Sequence, residues 1–70
     1  MYSEDIVIEK LLEQRDVNLN MLKHLDFEMM MEPTTNEKIK IQKLQKNTIS
    51  KLKKIEQEIA FLTSKKHSIQ

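Results

Sequence analysis

Apolar residues recur along this chain at the three- and four-residue spacing of an amphipathic helix, and the pattern is interrupted once, at Pro33. Before the proline, the recurring positions predict a helix over residues 3–31. Because proline disfavours the helical conformation of the residue before it, this helix should end near Met31. Its predicted apolar stripe comprises Ile8, Leu11, Leu12, Leu19, Leu22 and Met29.

The part of the chain after Pro33 has the more regular pattern and predicts a second helix over residues 35–66. Thr34 and Glu37 have the spacing of a capping box, which is typical of a helix start. From residue 41 onward, positions that alternate four and three residues apart form a seam like that of a coiled coil. These positions are Ile41, Gln45, Thr48, Leu52, Ile55, Ile59, Leu62, Lys66 and Ile69.

The link between the two predicted helices is only about three or four residues long, so the second helix must return antiparallel to the first. The sequence therefore predicts an all-α fold, an antiparallel two-helix hairpin of coiled-coil type that occupies residues 1–70 as a single domain. The chain has no glycine and one proline. Repeated tight turns are thereby excluded, which argues against all-β and α/β folds.

The two halves of the chain carry opposite charge. Residues 1–32 contain eight acidic and three basic side chains, whereas residues 33–70 contain nine basic and three acidic ones. The whole chain has a net charge of only +1. Because opposite charges on neighbouring helices attract, this asymmetry favours packing of the two halves against each other.

Polar residues interrupt both apolar stripes. Arg15 and Asp26 fall within the stripe of the first helix, and Gln45 and Thr48 lie in the seam of the second. We expect Gln45 and Thr48 to lie opposite the middle of the first helix. Polar groups at seam positions commonly fix the register of a coiled coil, and we favour this structural role over an active site.

Several apolar residues do not fit the seam. A two-helix hairpin has one shared seam, so these side chains remain in water unless another molecule covers them. Scattered apolar exposure is common on proteins, but a contiguous apolar stripe usually marks an interaction surface. The methionines before the turn either fill irregular space there or form an adaptable contact patch. The candidate partner-binding residues are Ile6, Val17, Met21, Met31 and Phe61.

The sequence offers little material for catalysis or for a cofactor. It has no cysteine, and His24 and His67 lie far apart without other metal-ligating residues at suitable spacing. We therefore expect a protein that is not an enzyme and that binds no cofactor or metal. No apolar stretch approaches the roughly 18 residues that suggest a membrane span. The acidic N-terminus differs from an export signal, so we expect a cytoplasmic protein.

A chain of 70 residues without a disulfide or a structural metal can build only a thin core. Such a core rarely contributes more than about 3–5 kcal/mol to stability. We therefore expect the hairpin to associate with a second copy or with another helical protein. A small regulatory protein that binds a larger helical partner would also fit.

The lysine-rich second half raises an alternative, a hairpin dimer that binds structured RNA. Its lysines could contact phosphates. However, the single arginine lies in the acidic half, and the chain has only three aromatic residues for stacking on bases. We therefore expect a protein partner and not nucleic acid. The lysines concerned are Lys38, Lys40, Lys43, Lys46, Lys51, Lys53 and Lys54.

The arrangement of the chain resembles the YscE-type co-chaperones of bacterial type III secretion systems. The resemblance covers the acidic, leucine-rich segment 8–25, the Met29–Met30 pair before the turn, and the glutamine- and lysine-rich segment 42–62. Pro33, Thr34 and Thr35 stand where that family would be expected to have a glycine-containing turn. The resemblance implies a cytoplasmic helical hairpin that pairs with a tetratricopeptide-like chaperone to keep the needle subunit unpolymerised. It assigns no individual binding residue.

Overall fold

The two predicted helices form an antiparallel hairpin in the structure, which is a computed structural model. It describes residues 2–67 and, among these, the side chains of residues 4–65. Helix α1 spans Tyr2–Met30 and helix α2 spans Thr35–His67. The hairpin measures 54 by 14 by 14 Å between its Cα extremes. The all-α hairpin is thus confirmed, with α1 beginning and ending one residue earlier than predicted and α2 ending one residue later.

A four-residue turn joins the helices. The Met31 N–H donates to the Glu28 carbonyl at 3.1 Å, which closes the last turn of α1. Glu32 then adopts a left-handed backbone conformation, with a φ of 55°. This conformation costs a non-glycine residue about 1–2 kcal/mol because its Cβ crowds the following carbonyl. Glu32 and the fixed φ of Pro33 together reverse the chain direction.

The predicted capping box at the start of α2 is confirmed. The Thr34 N–H donates to the Glu37 carboxylate at 2.8 Å, and the Glu37 N–H donates to the Thr34 hydroxyl at 3.2 Å. The Lys38 N–H donates to the Thr34 carbonyl at 2.9 Å, which is the first bond of the helical ladder. The bond from the Thr34 backbone, with that from its hydroxyl and the nearby charge of Lys40, lowers the pKa of Glu37.

The seam of α2 follows the predicted alternation throughout the described residues. Ile41, Thr48 and Ile55 are buried, and the intervening seam positions through Leu62 are half-buried. In heptad notation Ile41, Thr48, Ile55 and Leu62 occupy d positions, and Gln45, Leu52 and Ile59 occupy a positions. Ile69 and the side chain of Lys66, which complete the predicted seam, lie outside what the structure describes.

The seam of α1 differs from the prediction in its second half. Leu19, predicted to be in the stripe, is 42% exposed, whereas Leu25 is only 3% exposed and was absent from the predicted stripe. The half-buried polar residues Arg15 and Asn18 explain the difference. They continue the three-four alternation from Leu11 toward Leu25, whereas a stripe drawn through apolar residues alone leaves the seam at Leu19.

The resulting core is thin. The buried apolar residues are Leu11, Leu25, Ile41 and Ile55, and Thr48 is the buried polar residue. Every described side chain has at least 2% of its surface exposed, so none is fully buried. Twelve large apolar side chains of the described residues are instead exposed. Apolar side chains that lie outside the seam are therefore a main feature of this hairpin.

Candidate protein-binding surfaces

Three polar contacts across the seam establish the register of the two helices. The Gln45 amide donates to the Asp26 carboxylate at 3.0 Å. Arg15 pairs with Glu56 at 3.5 Å, and Lys65 pairs with Glu4 at 3.8 Å. All three contacts fit one antiparallel register. Gln45 therefore lies nearer the turn than predicted, opposite Asp26 rather than opposite the middle of α1.

Other polar groups in the seam bond within their own helix. The Thr48 hydroxyl donates to the Leu44 carbonyl at 2.7 Å, and the Asn18 amide donates to the Gln14 carbonyl at 2.8 Å. These bonds satisfy polar groups that the packing of the helices partly removes from water. Arg15 Nε is buried without a hydrogen-bond partner, although its guanidinium also reaches Glu56. The arrangement serves packing and register.

The register divides the outer surface of the hairpin into two sides. With a and d positions in the seam, the g positions of both helices flank it on one side and the e positions flank it on the other. The c positions adjoin the g positions, and the b positions adjoin the e positions. Ile8, Arg15, Leu22 and Met29 occupy the a positions of α1.

The first side, which we call the c/g face, has six exposed apolar residues. Near the open end of the hairpin, Val7 and Phe61 line one shallow groove. Near the turn, Met31 and Leu44 line another groove together with Pro33. The apolar residues of the c/g face are Val7, Val17, Met21, Met31, Leu44 and Phe61, all of them exposed.

The five predicted binding residues are all exposed, by between 46% and 67% of their surfaces. Val17, Met21, Met31 and Phe61 lie on the c/g face. Ile6 occupies an f position on the back of α1, next to that face. Val7 and Leu44 were not among the predicted binding residues, because their membership of this face follows only from the heptad register.

The opposite side, which we call the b/e face, has its own apolar residues. They are Leu12, Leu19, Met30, Ile39 and Ile49, of which Leu12 is half-buried and the others are exposed. Ile49 and Leu22 line one groove on this side, beside the Asp26–Gln45 contact. None of these residues was among the predicted binding residues.

The two faces differ in charge. On the b/e face, α1 contributes four acids and one lysine, whereas α2 contributes two lysines and one acid. On the c/g face, the charges of α1 balance, with Lys10 and Glu28. On the b/e face, therefore, an acidic surface of α1 lies beside a basic surface of α2. Its charged residues are Asp5, Glu9, Asp16, Lys23, Asp26, Lys46, Lys53 and Glu56.

Two further observations concern other kinds of site. Among the side chains that the structure describes, residues 4–65, no cluster of three or more His, Cys, Asp or Glu is arranged to hold a metal ion. Neither helix, over its described length, is long and apolar enough to cross a membrane.

Comparison with protein-family models, with curated proteins and with solved structures finds no match for this chain. Function is therefore inferred from the two faces and from the chemistry of their residues.

Proposed function

We propose that this chain is a small non-enzymatic interaction protein that binds another helical protein through its c/g face and stabilises it. The observation that carries the proposal is the excess of exposed apolar side chains over buried ones, twelve large residues against four. Exposed apolar residues that collect on one face usually mark a protein-binding site. The c/g face holds half of the twelve.

The shape of the c/g face suits a helical partner. Its apolar positions on α1 follow the same three-four spacing as the seam, so they form a second, more polar stripe along the helix. At about 1.5 Å per residue, the stripe from Val7 to Met31 extends roughly 36 Å. A helix laid along this stripe could place its own apolar residues between these side chains. Two of the four apolar residues are methionines, Met21 and Met31, whose flexible side chains adapt to a partner surface.

The resemblance to YscE-type co-chaperones suggests a more specific identity for the partner. On this proposal, the hairpin is a cytoplasmic co-chaperone or assembly subunit of a type III secretion system. Its partner would be a tetratricopeptide-like chaperone that holds the needle subunit. A small regulatory protein that binds a larger helical target would use the same face. The partner recovered from cells distinguishes these two versions.

The experiment is affinity capture of the tagged chain from the native cytosol, followed by mass spectrometry with and without nuclease. We expect a stoichiometric helical protein that nuclease does not release. Val17→Asp and Met21→Asp should each abolish its capture, because burying an unpaired charge costs several kcal/mol. Asn20→Asp is the matched control, since it adds the same charge to α1 at an f position. It should leave capture unchanged.

RNA binding is the outcome that would replace this proposal. It predicts a nuclease-sensitive complex without a stoichiometric protein, and an affinity that falls steeply with salt. Lys51 and Lys54 lie on the c/g face itself, so their substitution would not separate RNA binding from partner binding. The diagnostic variant is therefore Lys43→Glu with Lys46→Glu, at positions outside that face. Loss of binding in that variant, with Val17→Asp unaffected, would identify RNA as the ligand.

A further inference from the structure

We propose that a second copy of this chain docks on the b/e face, forming a dimer of hairpins with a four-helix cross-section. The proposal concerns the face that the partner site does not use, so it stands or falls separately from the proposed function. It rests on three observations, namely the levels of the apolar residues along this face, the distribution of its charges, and its size.

The apolar residues of the b/e face lie at neighbouring levels on the two helices. The contacts Asp26–Gln45 and Arg15–Glu56 fix the register, and this register places Leu19 within one helical turn of the level of Ile49. Continued toward the turn, it places Met30 within one turn of the level of Ile39. Each hairpin thus presents two apolar pairs, and each residue of these pairs is between 42% and 79% exposed.

A two-fold axis parallel to the helices preserves these levels. It sets α1 of each copy antiparallel to α2 of the other, so that Leu19 faces Ile49 of the second copy and Met30 faces its Ile39. Two four-residue apolar layers result, one near the middle of the hairpin and one near the turn. Facing apolar layers of this kind hold helical bundles together.

The charges select the same arrangement. On the b/e face α1 is acidic on balance and α2 is basic. The parallel two-fold axis brings α1 against α2 of the second copy, and it places Asp16 within one helical turn of the level of its Lys53. The alternative axis, perpendicular to the helices, would set α1 against α1 and oppose like charges, which electrostatic complementarity disfavours.

The face is large enough for a stable dimer. A side wall with the dimensions of the hairpin, 54 by 14 Å, measures about 750 Å². Standard stable interfaces bury about 800 Å² on each partner. Burial of this wall would also double the number of helices that share the thin core.

Sedimentation equilibrium of the full chain tests the proposal. We expect the mass of two chains, each of 8.4 kDa, at concentrations of tens of micromolar. Leu19→Lys should reduce the mass to that of one chain while circular dichroism still reports helix. Met21→Lys is the matched control, since Met21 is comparably exposed on the opposite face of α1. It should leave the dimer intact.

A charge exchange tests the pairing without altering any apolar contact. Asp16→Lys should weaken the dimer several-fold, and adding Lys53→Asp should restore the wild-type dissociation constant. Both side chains are exposed, so neither change should unfold the hairpin. A single-chain mass for the wild type would overturn the proposal. So would a dimer lost on Met21→Lys but kept on Leu19→Lys, or a charge exchange without rescue.

Discussion

The seam and the outer faces of this hairpin contain the same types of apolar residue, but these residues serve different purposes. In the seam, Leu11, Leu25, Ile41 and Ile55 are buried and hold the two helices together. On the outer faces, similar residues such as Val17 and Leu44 remain in water. Most apolar side chains of a small stable domain would lie in the first class, and here most lie in the second. We infer that the seam determines the shape of the molecule and that the faces determine what it binds.

Truncation of one leucine in the seam and one on an outer face tests the difference between these two regions most sharply. Leu25→Ala should destabilise the hairpin by about 2–5 kcal/mol, because it removes a fully packed side chain. Leu19→Ala should cost much less, since Leu19 keeps 42% of its surface in water. Chemical unfolding followed by circular dichroism in dilute solution, below self-association, measures both. Equal losses would mean that Leu19 belongs to the seam.

Loss of the capping box should have the next largest effect on the stability of the hairpin. Thr34→Ala removes the hydroxyl that accepts the Glu37 N–H, and loss of such a cap costs about 1 kcal/mol. Thr34→Ser keeps the hydroxyl and should retain most of the stability. Both values come from the same unfolding experiment. A neutral Thr34→Ala would show that packing alone determines where α2 begins.

Glu32, with its left-handed backbone, lies in the turn and belongs neither to the seam nor to the outer faces. A substitution there should stabilise the hairpin. Glu32→Gly should raise stability by about 0.5 kcal/mol, because relief of the strain exceeds the added entropy of the unfolded chain. Glu32→Ala removes the same carboxylate but keeps the strain, so it should bring no such gain. If the two variants have the same melting temperature, the charge of Glu32 matters and its backbone conformation does not.

The smallest expected effect is the dependence of stability on pH through Glu37. Because the Thr34 bonds lower the pKa of Glu37, the folded state binds its proton less readily than the unfolded state. The contribution of Glu37 is therefore complete above its ordinary value of 4.5 and is lost as pH falls through the lower folded value. Acid titration of the wild type and of Glu37→Gln should show a stability difference that disappears in this window. A difference that persists at lower pH would contradict this assignment.

The fold could be read from the sequence almost completely, and the reason lies in α2. Its seam residues are mainly Ile and Leu, and Pro33 with the capping box defines the turn. The register of α1 could not be read in the same way. Its seam passes through Arg15 and Asn18, while Leu12 and Leu19 stand at flanking e positions and imitate seam residues. An apolar stripe alone cannot distinguish these positions.

The exposure of the outer apolar residues was predicted in outline only. Ile6, Val17, Met21, Met31 and Phe61 are exposed, as expected of residues off the seam, and their role in binding stays a prediction. The sequence did not separate the outer apolar residues into two faces. That separation depends on the polar contacts between the helices, such as Asp26–Gln45, which fix the register and are side-chain properties of the folded hairpin.

The methionines provide the most direct test of the division between seam and faces. Met29 is half-buried in the seam, whereas Met21 and Met31 are exposed on the c/g face. The measurement is a methyl NMR spectrum of the methionine-labelled chain, recorded while the captured partner is added. We predict that the Met21 and Met31 signals shift or broaden and that the Met29 signal keeps its position. A shift of Met29 with Met21 and Met31 unchanged would show that the partner binds by opening the seam, and it would contradict this account.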